Sequence, residues 1–416
     1  MQNYLQVFIN RRVAAVAALG FSSGLPLLLT ASTLQAWMTT AGVNLRTIGL
    51  FSLVGLPYSV KFLWSPLIDA VAIPWMGRRR GWIALMQLML AGAVAWMAFT
   101  MPSAVLVMAL AAMCVALLSA TQDIAIDAYR ADVLRENERG AGAAASVAGY
   151  RIAMLVSGAL ALVMSQSYGW RNVYLVMAGL MALCAAATAA SPEPEVKVRP
   201  PSTFGEAVVR PLGEYFSRPG CIGMLLLILF YKLGDAYAGS LTTAFLIRGV
   251  GFSAAEVGTV NKGMGLVATI IGAAFGGGLM ARIGLFRSLF WFGVLQMVSN
   301  LCFAALALTG RHYGMFMTTI AFENLSGGMG TAALVALLIA MCDKRFSATQ
   351  YALLSSLAAA GRILIAPSAG YVAESLGWPV FFLITTVAAV PGLVCVLVYA
   401  PLIKGGSFWR TTRVSA

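Results

Sequence analysis

The chain has 416 residues, of which 60% are hydrophobic and 10% are charged, and its mean hydropathy is +0.85. Soluble domains carry roughly 25% charged residues, so this composition excludes a water-soluble fold and places the apolar surface in lipid. The net charge of +13 comes from loops between apolar segments. The sequence has no basic patch with interleaved aromatic residues, so it does not indicate nucleic-acid binding.

Histidine and cysteine are too sparse to build a reactive centre. The chain has one histidine, His312, and six cysteines without a Cys-X-X-Cys pair. These residues offer little material for a metal site or a catalytic constellation. We therefore expect no metal, no cofactor and no enzymatic activity.

Apolar segments of helical length follow one another along the whole chain. A helix needs roughly 20 apolar residues to cross a ~30 Å hydrocarbon core. The first segment follows Arg11 and Arg12 and is too long for a cleavable signal peptide. About twelve transmembrane helices are predicted, at residues 13–39, 46–70, 82–100, 103–128, 143–166, 171–190, 220–247, 254–281, 287–309, 313–341, 348–374 and 377–402.

One long polar stretch, residues 191–219, divides these spans into two sets of six. We predict an N-terminal six-helix bundle over residues 1–190, a cytoplasmic linker over 191–219 and a C-terminal six-helix bundle over 220–416. Lys and Arg concentrate in the linker, at both termini and in alternate loops. Because cytoplasmic loops are enriched in Lys and Arg, both termini are predicted to be cytoplasmic. The opposite loops hold only Arg46, Arg171, Arg248 and Arg311.

The two halves of the chain are weak copies of each other. The matching pairs are Ala41-Gly-Val with Arg248-Gly-Val, Gly49 with Gly258, the loop ending in Gly77-Arg-Arg-Arg with Met280-Ala-Arg-Ile-Gly-Leu-Phe-Arg, Gly149-Tyr-Arg with Ala360-Gly-Arg, and Gly169-Trp170 with Gly377-Trp378. Two parallel six-helix repeats resemble the architecture of the major facilitator superfamily, and this resemblance predicts an all-α integral membrane fold of that type.

Two carboxylates, Asp123 and Asp127, form the sharpest candidate site in the predicted fourth helix. Their i, i+4 spacing stacks them on one helical face. Two anions this close repel in a low-dielectric site, so one of them is expected to bind and release a proton. The alternative is that the helix ends here, with both acids wetted or paired with Arg130 or Arg135.

Other charged residues within the predicted spans are also candidates, because ionised groups in lipid are costly and usually functional. Lys232 and Asp235, at i, i+3, form either a structural pair or part of a cavity. Glu323 and Asn324 precede the glycine-rich stretch Ser326-Gly-Gly-Met-Gly of the predicted tenth helix, and they form either a polar site or an interhelical hydrogen bond.

Three further cations divide between binding and gating roles. Arg151 and Arg362 occupy matching repeat positions and would either grip a carboxylate or close a cytoplasmic gate. Lys61 lies in mid-span, which favours a cavity over snorkelling.

The loop between the predicted second and third helices carries Asp69 and the basic run Arg78, Arg79 and Arg80. These four residues are predicted to act as a gate and a topology signal rather than as a substrate site.

Motifs from the first predicted helix to the twelfth resemble the AmpG-type muropeptide permeases of Gram-negative bacteria. The motifs are Gly20-Phe-Ser-Ser-Gly-Leu-Pro, Thr33-Leu-Gln-Ala-Trp-Met, Lys61-Phe-Leu-Trp-Ser-Pro-Leu, Gly77-Arg-Arg-Arg-Gly-Trp, Ser119-Ala-Thr-Gln-Asp-Ile, Glu138-Arg-Gly-Ala-Gly-Ala, Tyr231-Lys-Leu-Gly-Asp-Ala, Phe245-Leu-Ile-Arg-Gly-Val-Gly-Phe, Phe322-Glu-Asn-Leu-Ser-Gly-Gly-Met-Gly-Thr-Ala and Phe346-Ser-Ala-Thr-Gln-Tyr-Ala-Leu.

The resemblance implies import of N-acetylglucosaminyl-1,6-anhydro-N-acetylmuramyl peptides from the periplasm to the cytoplasm across the bacterial inner membrane. We expect the protein to act as a monomer. This import serves peptidoglycan recycling and β-lactamase induction and uses the proton gradient. The resemblance maps proton coupling onto Asp123 and Asp127, and it places Gly24, Ala120 and Gln122 near the translocation path. Gln35 is a further predicted substrate-binding residue. One departure is Ala70 after the loop acid, where relatives often carry Arg.

Other interpretations stay open. The first is a proton-coupled importer of another solute, such as a siderophore, a peptide or an acyl-CoA. A drug exporter or a membrane enzyme is a further alternative, although the single loop histidine argues against the enzyme.

Overall fold

Helices and the turns between them make up the described backbone, which contains no strand in the part that the structure covers. The structure is a computed structural model. It describes residues 10–65, 68, 73, 76–135, 138–192, 213, 215–218, 220–341 and 347–405.

The first half of the chain holds eight α-helices among the described residues. The first of these is capped by Asn10, whose side chain accepts a hydrogen bond from the backbone N–H of Arg12. A π-helical segment, Leu155–Leu160, connects the last two. In chain order the helices are α1 Arg11–Leu29, α2 Ser32–Thr40, α3 Leu45–Leu50, α4 Leu56–Val60, α5 Arg78–Phe99, α6 Val105–Val133, α7 Arg139–Met154 and α8 Ala161–Ala189.

The second half is built in the same way, and two π-helical segments interrupt its regular helices. These segments are Phe245–Gly249 and Val257–Met264. The helices are α9 Cys221–Tyr231, α10 Leu233–Gly239, α11 Thr242–Ala244, α12 Ala254–Glu256, α13 Gly265–Ile283, α14 Leu285–Thr309, α15 Tyr313–Met341, α16 Ser347–Val398 and α17 Ala400–Gly405.

Nine helices among the described residues are long and apolar enough to cross a membrane. Two of them, Ala145–Ala189 and Leu353–Val398, have 45 and 46 residues. At 1.5 Å per residue each is about 68 Å long, more than twice a hydrocarbon core of about 30 Å. Gly169 (φ 73°) and Gly377 (φ 78°) break the two runs into separate arms. Each run is therefore long enough for two crossings, and the count of twelve stays a prediction.

Glycines with positive φ mark the internal repeat in the backbone. Gly77 (φ 80°) and Gly284 (φ 81°) each precede a helix, as the sequence match predicts. Gly42 (φ 80°) corresponds to Gly251 (φ 88°), because each lies two residues before a helix N-cap. The predicted match of Gly42 with Gly249 was therefore wrong by two residues, since Gly249 ends a π-helical segment.

Clustering of contacts divides the chain into two units. The first unit comprises Met1–Val43, Val54–Pro200 and Ser253–Thr259, and the second comprises Asn44–Leu53, Pro201–Phe252 and Val260–Ala416. Each unit has its own apolar core. The core of the first includes Val16, Leu19, Ile83, Ala125 and Tyr129, and that of the second includes Leu227, Ile228, Phe292, Ala333 and Leu337.

Glycines allow close backbone contact between helices inside each unit. A Cβ at Gly149 on α7 would lie 2.1 Å from the carbonyl oxygen of Ala17 on α1. A Cβ at Gly272 on α13 would lie 2.1 Å from the carbonyl oxygen of Leu325 on α15. No side chain fits at either crossing, so small residues fix the approach of these helices. The second crossing holds α13 beside the polar residues of α15.

Candidate functional site

Asp123 lies on α6 in the first unit and is half-buried. The hydroxyl of Ser23 on α1 donates a hydrogen bond of 2.5 Å to its Oδ1. Lys61, at the start of the 3₁₀ turn Lys61–Leu63, acts on Asp123 electrostatically, as does Asp127. Asp123 therefore faces a neutral hydrogen-bond donor, with a cation and a second acid in its surroundings.

Asp127, one turn further along α6, has a different environment. Its Oδ1 accepts a hydrogen bond of 3.0 Å from Nη2 of Arg130, and its side chain is 57% exposed. Nη1 of Arg130 also lies 3.3 Å from the hydroxyl of Ser146 on α7. The two acids one helical turn apart therefore differ in environment: Asp123 is half-buried, whereas Asp127 is exposed and ion-paired.

Gln122, beside Asp123, belongs to a buried chain of amide and hydroxyl groups. Its Nε2 lies 3.4 Å from the hydroxyl of Ser22, which also accepts a bond of 3.0 Å from Nε2 of Gln87. The hydroxyl of Thr188 donates to Oε1 of Gln87 at 2.7 Å. Oε1 of Gln122 has no hydrogen-bond partner among the described residues, so one buried acceptor stays available.

Lys232 is the centre of a polar cluster in the second unit. Its Nζ donates to Oδ2 of Asp235 at 2.8 Å, to Oε1 of Gln296 at 2.6 Å and to the carbonyl oxygen of Gly327 at 3.2 Å. An ammonium group has three donors. All three are used here, so this lysine links α10, α14 and α15.

Glu323 and Asn324 on α15 form a second part of that cluster. Nδ2 of Asn324 donates to Oε2 of Glu323 and to the carbonyl oxygen of Ile320. Oδ1 of Asn324 accepts a bond of 3.0 Å from the hydroxyl of Thr269 on α13. Glu323 also interacts electrostatically with Lys262, in the π-helical segment before α13. The cluster therefore contains two acids and two lysines.

The neighbours of the other predicted substrate residues are described only in part. Gly24 is a packing position, because a Cβ there would lie 2.6 Å from the carbonyl oxygen of Tyr150. Gln35 is half-buried on α2. Nη1 of Arg151 lies 3.8 Å from a sulfur atom of its own helix, Sδ of Met154. The side chain of Arg362 lies outside the described part of the structure.

The predicted gate residues are described only in part. Nε of Arg79 pairs with Oδ2 of Asp132 at 3.1 Å, with both side chains mostly buried. Nη2 of Arg80 donates to the carbonyl oxygen of Ala189 at the end of α8. Asp69 and the side chain of Arg78 lie outside the described residues.

Several polar residues of these clusters were not predicted from the sequence. The predictions favoured ionisable groups within spans, whereas Gln87, Thr269 and Gln296 contribute buried amides and a hydroxyl. Lys262 is one of the charged residues within the predicted spans and therefore a candidate functional residue, but the sequence assigns it no particular role. Asp132 was missed as well, although an acid near the end of a span beside a basic loop is a detectable signal. No group of three His, Cys, Asp or Glu among the described residues could hold a metal ion.

Comparisons with known proteins agree with this fold. The family model of the Major Facilitator Superfamily matches residues 13–310. The anhydromuropeptide permease of Escherichia coli is 53% identical over 397 residues, covering 95% of this chain and 81% of the relative.

Solved structures give the same fold at low identity. The peptide transporter POT has a TM-score of 0.74 at 13% identity, with 94% of each chain covered. The nucleoside transporter NupG has a TM-score of 0.71 at 13% identity, covering 94% of this chain and 99% of that one.

The chain therefore belongs to the Major Facilitator Superfamily and is a multi-pass membrane transporter of small molecules, not an enzyme. This confirms the predicted all-α membrane fold class. Within the superfamily, it belongs to the family of AmpG-type muropeptide permeases, as its motifs predicted.

Proposed function

We propose that this protein imports N-acetylglucosaminyl-1,6-anhydro-N-acetylmuramyl peptides from the periplasm into the cytoplasm, driven by proton entry. The observation that carries the proposal is the 53% identity over 95% of the chain to a protein named anhydromuropeptide permease. The imported peptides serve peptidoglycan recycling and, through it, β-lactamase induction and β-lactam resistance.

The substrate's chemistry suits the polar groups within the membrane helices. Muropeptides carry sugar hydroxyls, stem-peptide carboxylates and an amine. Amides such as Gln122 and Asn324 suit the hydroxyls, and cations suit the carboxylates. We propose that the translocation path uses groups from the predicted set Gln122, Lys61, Gly24, Gln35, Lys232, Asp235, Glu323, Asn324, Arg151 and Arg362.

Proton coupling is assigned to the Asp123 and Asp127 pair, with Asp123 as the main proton carrier. Its partner Ser23 is a neutral donor, whereas Asp127 already pairs with Arg130. A protonated carboxyl is cheaper to enclose in a dry site than an anion. One charge crossing 100 mV supplies about 2.3 kcal/mol, enough for roughly 50-fold accumulation at 1.36 kcal/mol per decade.

Transport is proposed to proceed by alternating access, with residues 1–190 and 220–416 as the two moving bundles and 191–219 as a cytoplasmic linker. Asp69, Arg78, Arg79 and Arg80 act at the gate. The proposal places a monomer in the bacterial inner membrane with both termini in the cytoplasm. The distribution of Lys and Arg supports this orientation of the termini.

The direct test is uptake of radiolabelled anhydro-muropeptide by cells that lack their own permease, with and without an uncoupler. We expect accumulation that the uncoupler abolishes. No uptake by a well-expressed protein would contradict the substrate, and uptake that ignores the collapsed gradient would contradict proton coupling.

A further inference from the structure

The second unit contains two half-buried lysines that differ in their hydrogen bonding. Lys232 has its three donors occupied by Asp235, Gln296 and the carbonyl oxygen of Gly327. Lys262 is half-buried and makes no hydrogen bond or ion pair within 4 Å among the described residues. All three donors of the Lys232 ammonium group are therefore used in hydrogen bonds, whereas those of Lys262 are not used in the part of the chain that the structure describes.

Lys262 lies within an apolar run, where a charge without an ion-pair partner is energetically unfavourable. It lies eight residues after Ala254 in the apolar run Ala254–Ile283, about 12 Å along the helix. Ionised groups inside a membrane normally pair with one another or serve a function. Glu323 acts on Lys262 electrostatically but gives its hydrogen-bonded contact to Asn324.

The local backbone and a neighbouring amide support a binding role. Lys262 lies in the π-helical segment Val257–Met264, and such segments are frequent at functional sites. Asn261 is 8% exposed, and its Nδ2 has no hydrogen-bond partner among the described residues. Two successive residues of this segment therefore carry unused donors.

We infer that Lys262 binds a carboxylate of the transported molecule, while Lys232 holds α10, α14 and α15 together. The inference rests on the proposed function, which supplies a substrate with stem-peptide carboxylates. An ammonium group with unused donors selects an anionic acceptor over a hydroxyl. Glu323, the acid that acts on Lys262, suits the amine of the same peptide.

The test measures binding of two probes to the purified full-length protein. One probe is the anhydro-muropeptide with a tripeptide stem as the free acid, and the other has its stem carboxylates converted to amides. Wild-type protein should bind the free acid at least about tenfold more tightly, as expected for a charge-assisted hydrogen bond. Lys262→Gln should bind both probes equally, and Lys262→Arg should keep the preference.

Thermal stability separates the two lysines. Lys262→Gln should melt close to wild type, whereas Lys232→Gln should melt lower because it loses three hydrogen bonds. Unfolding of both Lys262→Gln and Lys262→Met would show a structural lysine and overturn the inference.

Three binding results would also overturn it: wild-type protein without a preference, a preference retained in Lys262→Gln, or a preference lost only in Lys232→Gln. If wild-type protein binds neither probe, the proposed substrate is wrong, and the inference of a carboxylate site at Lys262 is wrong as well.

Discussion

A Cβ atom at Gly330 would lie 1.7 Å from Nε2 of Gln296, so the glycine leaves the space that the glutamine amide fills. Gln296 is 3% exposed. From this position its Nε2 donates to the carbonyl oxygen of Phe292, and its Oε1 accepts from Lys232. Because Gly330 on α15 has no side chain, Gln296 on α14 has room to orient Lys232, which lies between α9 and α10.

Gly330→Ala and Gln296→Ala should therefore act through the same contact. Each should lower stability by about 1–3 kcal/mol, the cost of losing a hydrogen bond to a charged group. The double variant should cost little more than either single change, because both remove one interaction. Thermal melting in detergent measures this, with Gly278→Ala as a control where a Cβ meets nothing within 4 Å. Additive losses would show that Gly330 and Gln296 act independently.

Asp123→Asn should abolish accumulation while substrate still equilibrates across the membrane, because an amide cannot carry the proton. Asp127→Asn should lose less of the accumulation than Asp123→Asn. Its carboxylate is exposed and paired with Arg130, and an exposed ion pair contributes at most about 1 kcal/mol to stability. Uptake into vesicles with an imposed proton gradient measures both, and surface expression is the control. Full accumulation in Asp123→Asn would remove this residue from coupling.

The fold was predictable from the sequence because each span is a long apolar run, and a run of that length has few alternatives to a helix in lipid. The approach of Lys232 to Asp235 was predictable too, because i, i+3 residues share a helical face. Partners from other helices were not predictable in this way. Ser23, Thr269 and Gln296 have neutral side chains, and their roles depend on how separate helices pack.

Gly169→Ala should destabilise the protein by about 1–3 kcal/mol, since its φ of 73° and ψ of 158° together lie in a region that essentially only glycine adopts. A Cβ at this position meets nothing within 4 Å, so the loss is one of backbone strain. Gly179→Ala in the same helix is the matched control. It also meets nothing within 4 Å, and alanine favours helix by about 1 kcal/mol. Equal melting temperatures for the two variants would contradict the strained turn.

Thr269→Val should disturb the Glu323 cluster without changing the size of the side chain. The hydroxyl of Thr269 lies 3.0 Å from Oδ1 of Asn324 and 2.9 Å from the carbonyl oxygen of Gly265. Its removal leaves Oδ1 of Asn324 without this donor, at a cost of about 1–2 kcal/mol. Thr318→Val is the matched control, because the exposed hydroxyl of Thr318 bonds within its own helix. We expect Thr269→Val to lower both the melting temperature and the uptake rate, and Thr318→Val to change neither. If both variants behave like wild type, Thr269 does not orient Asn324 for transport.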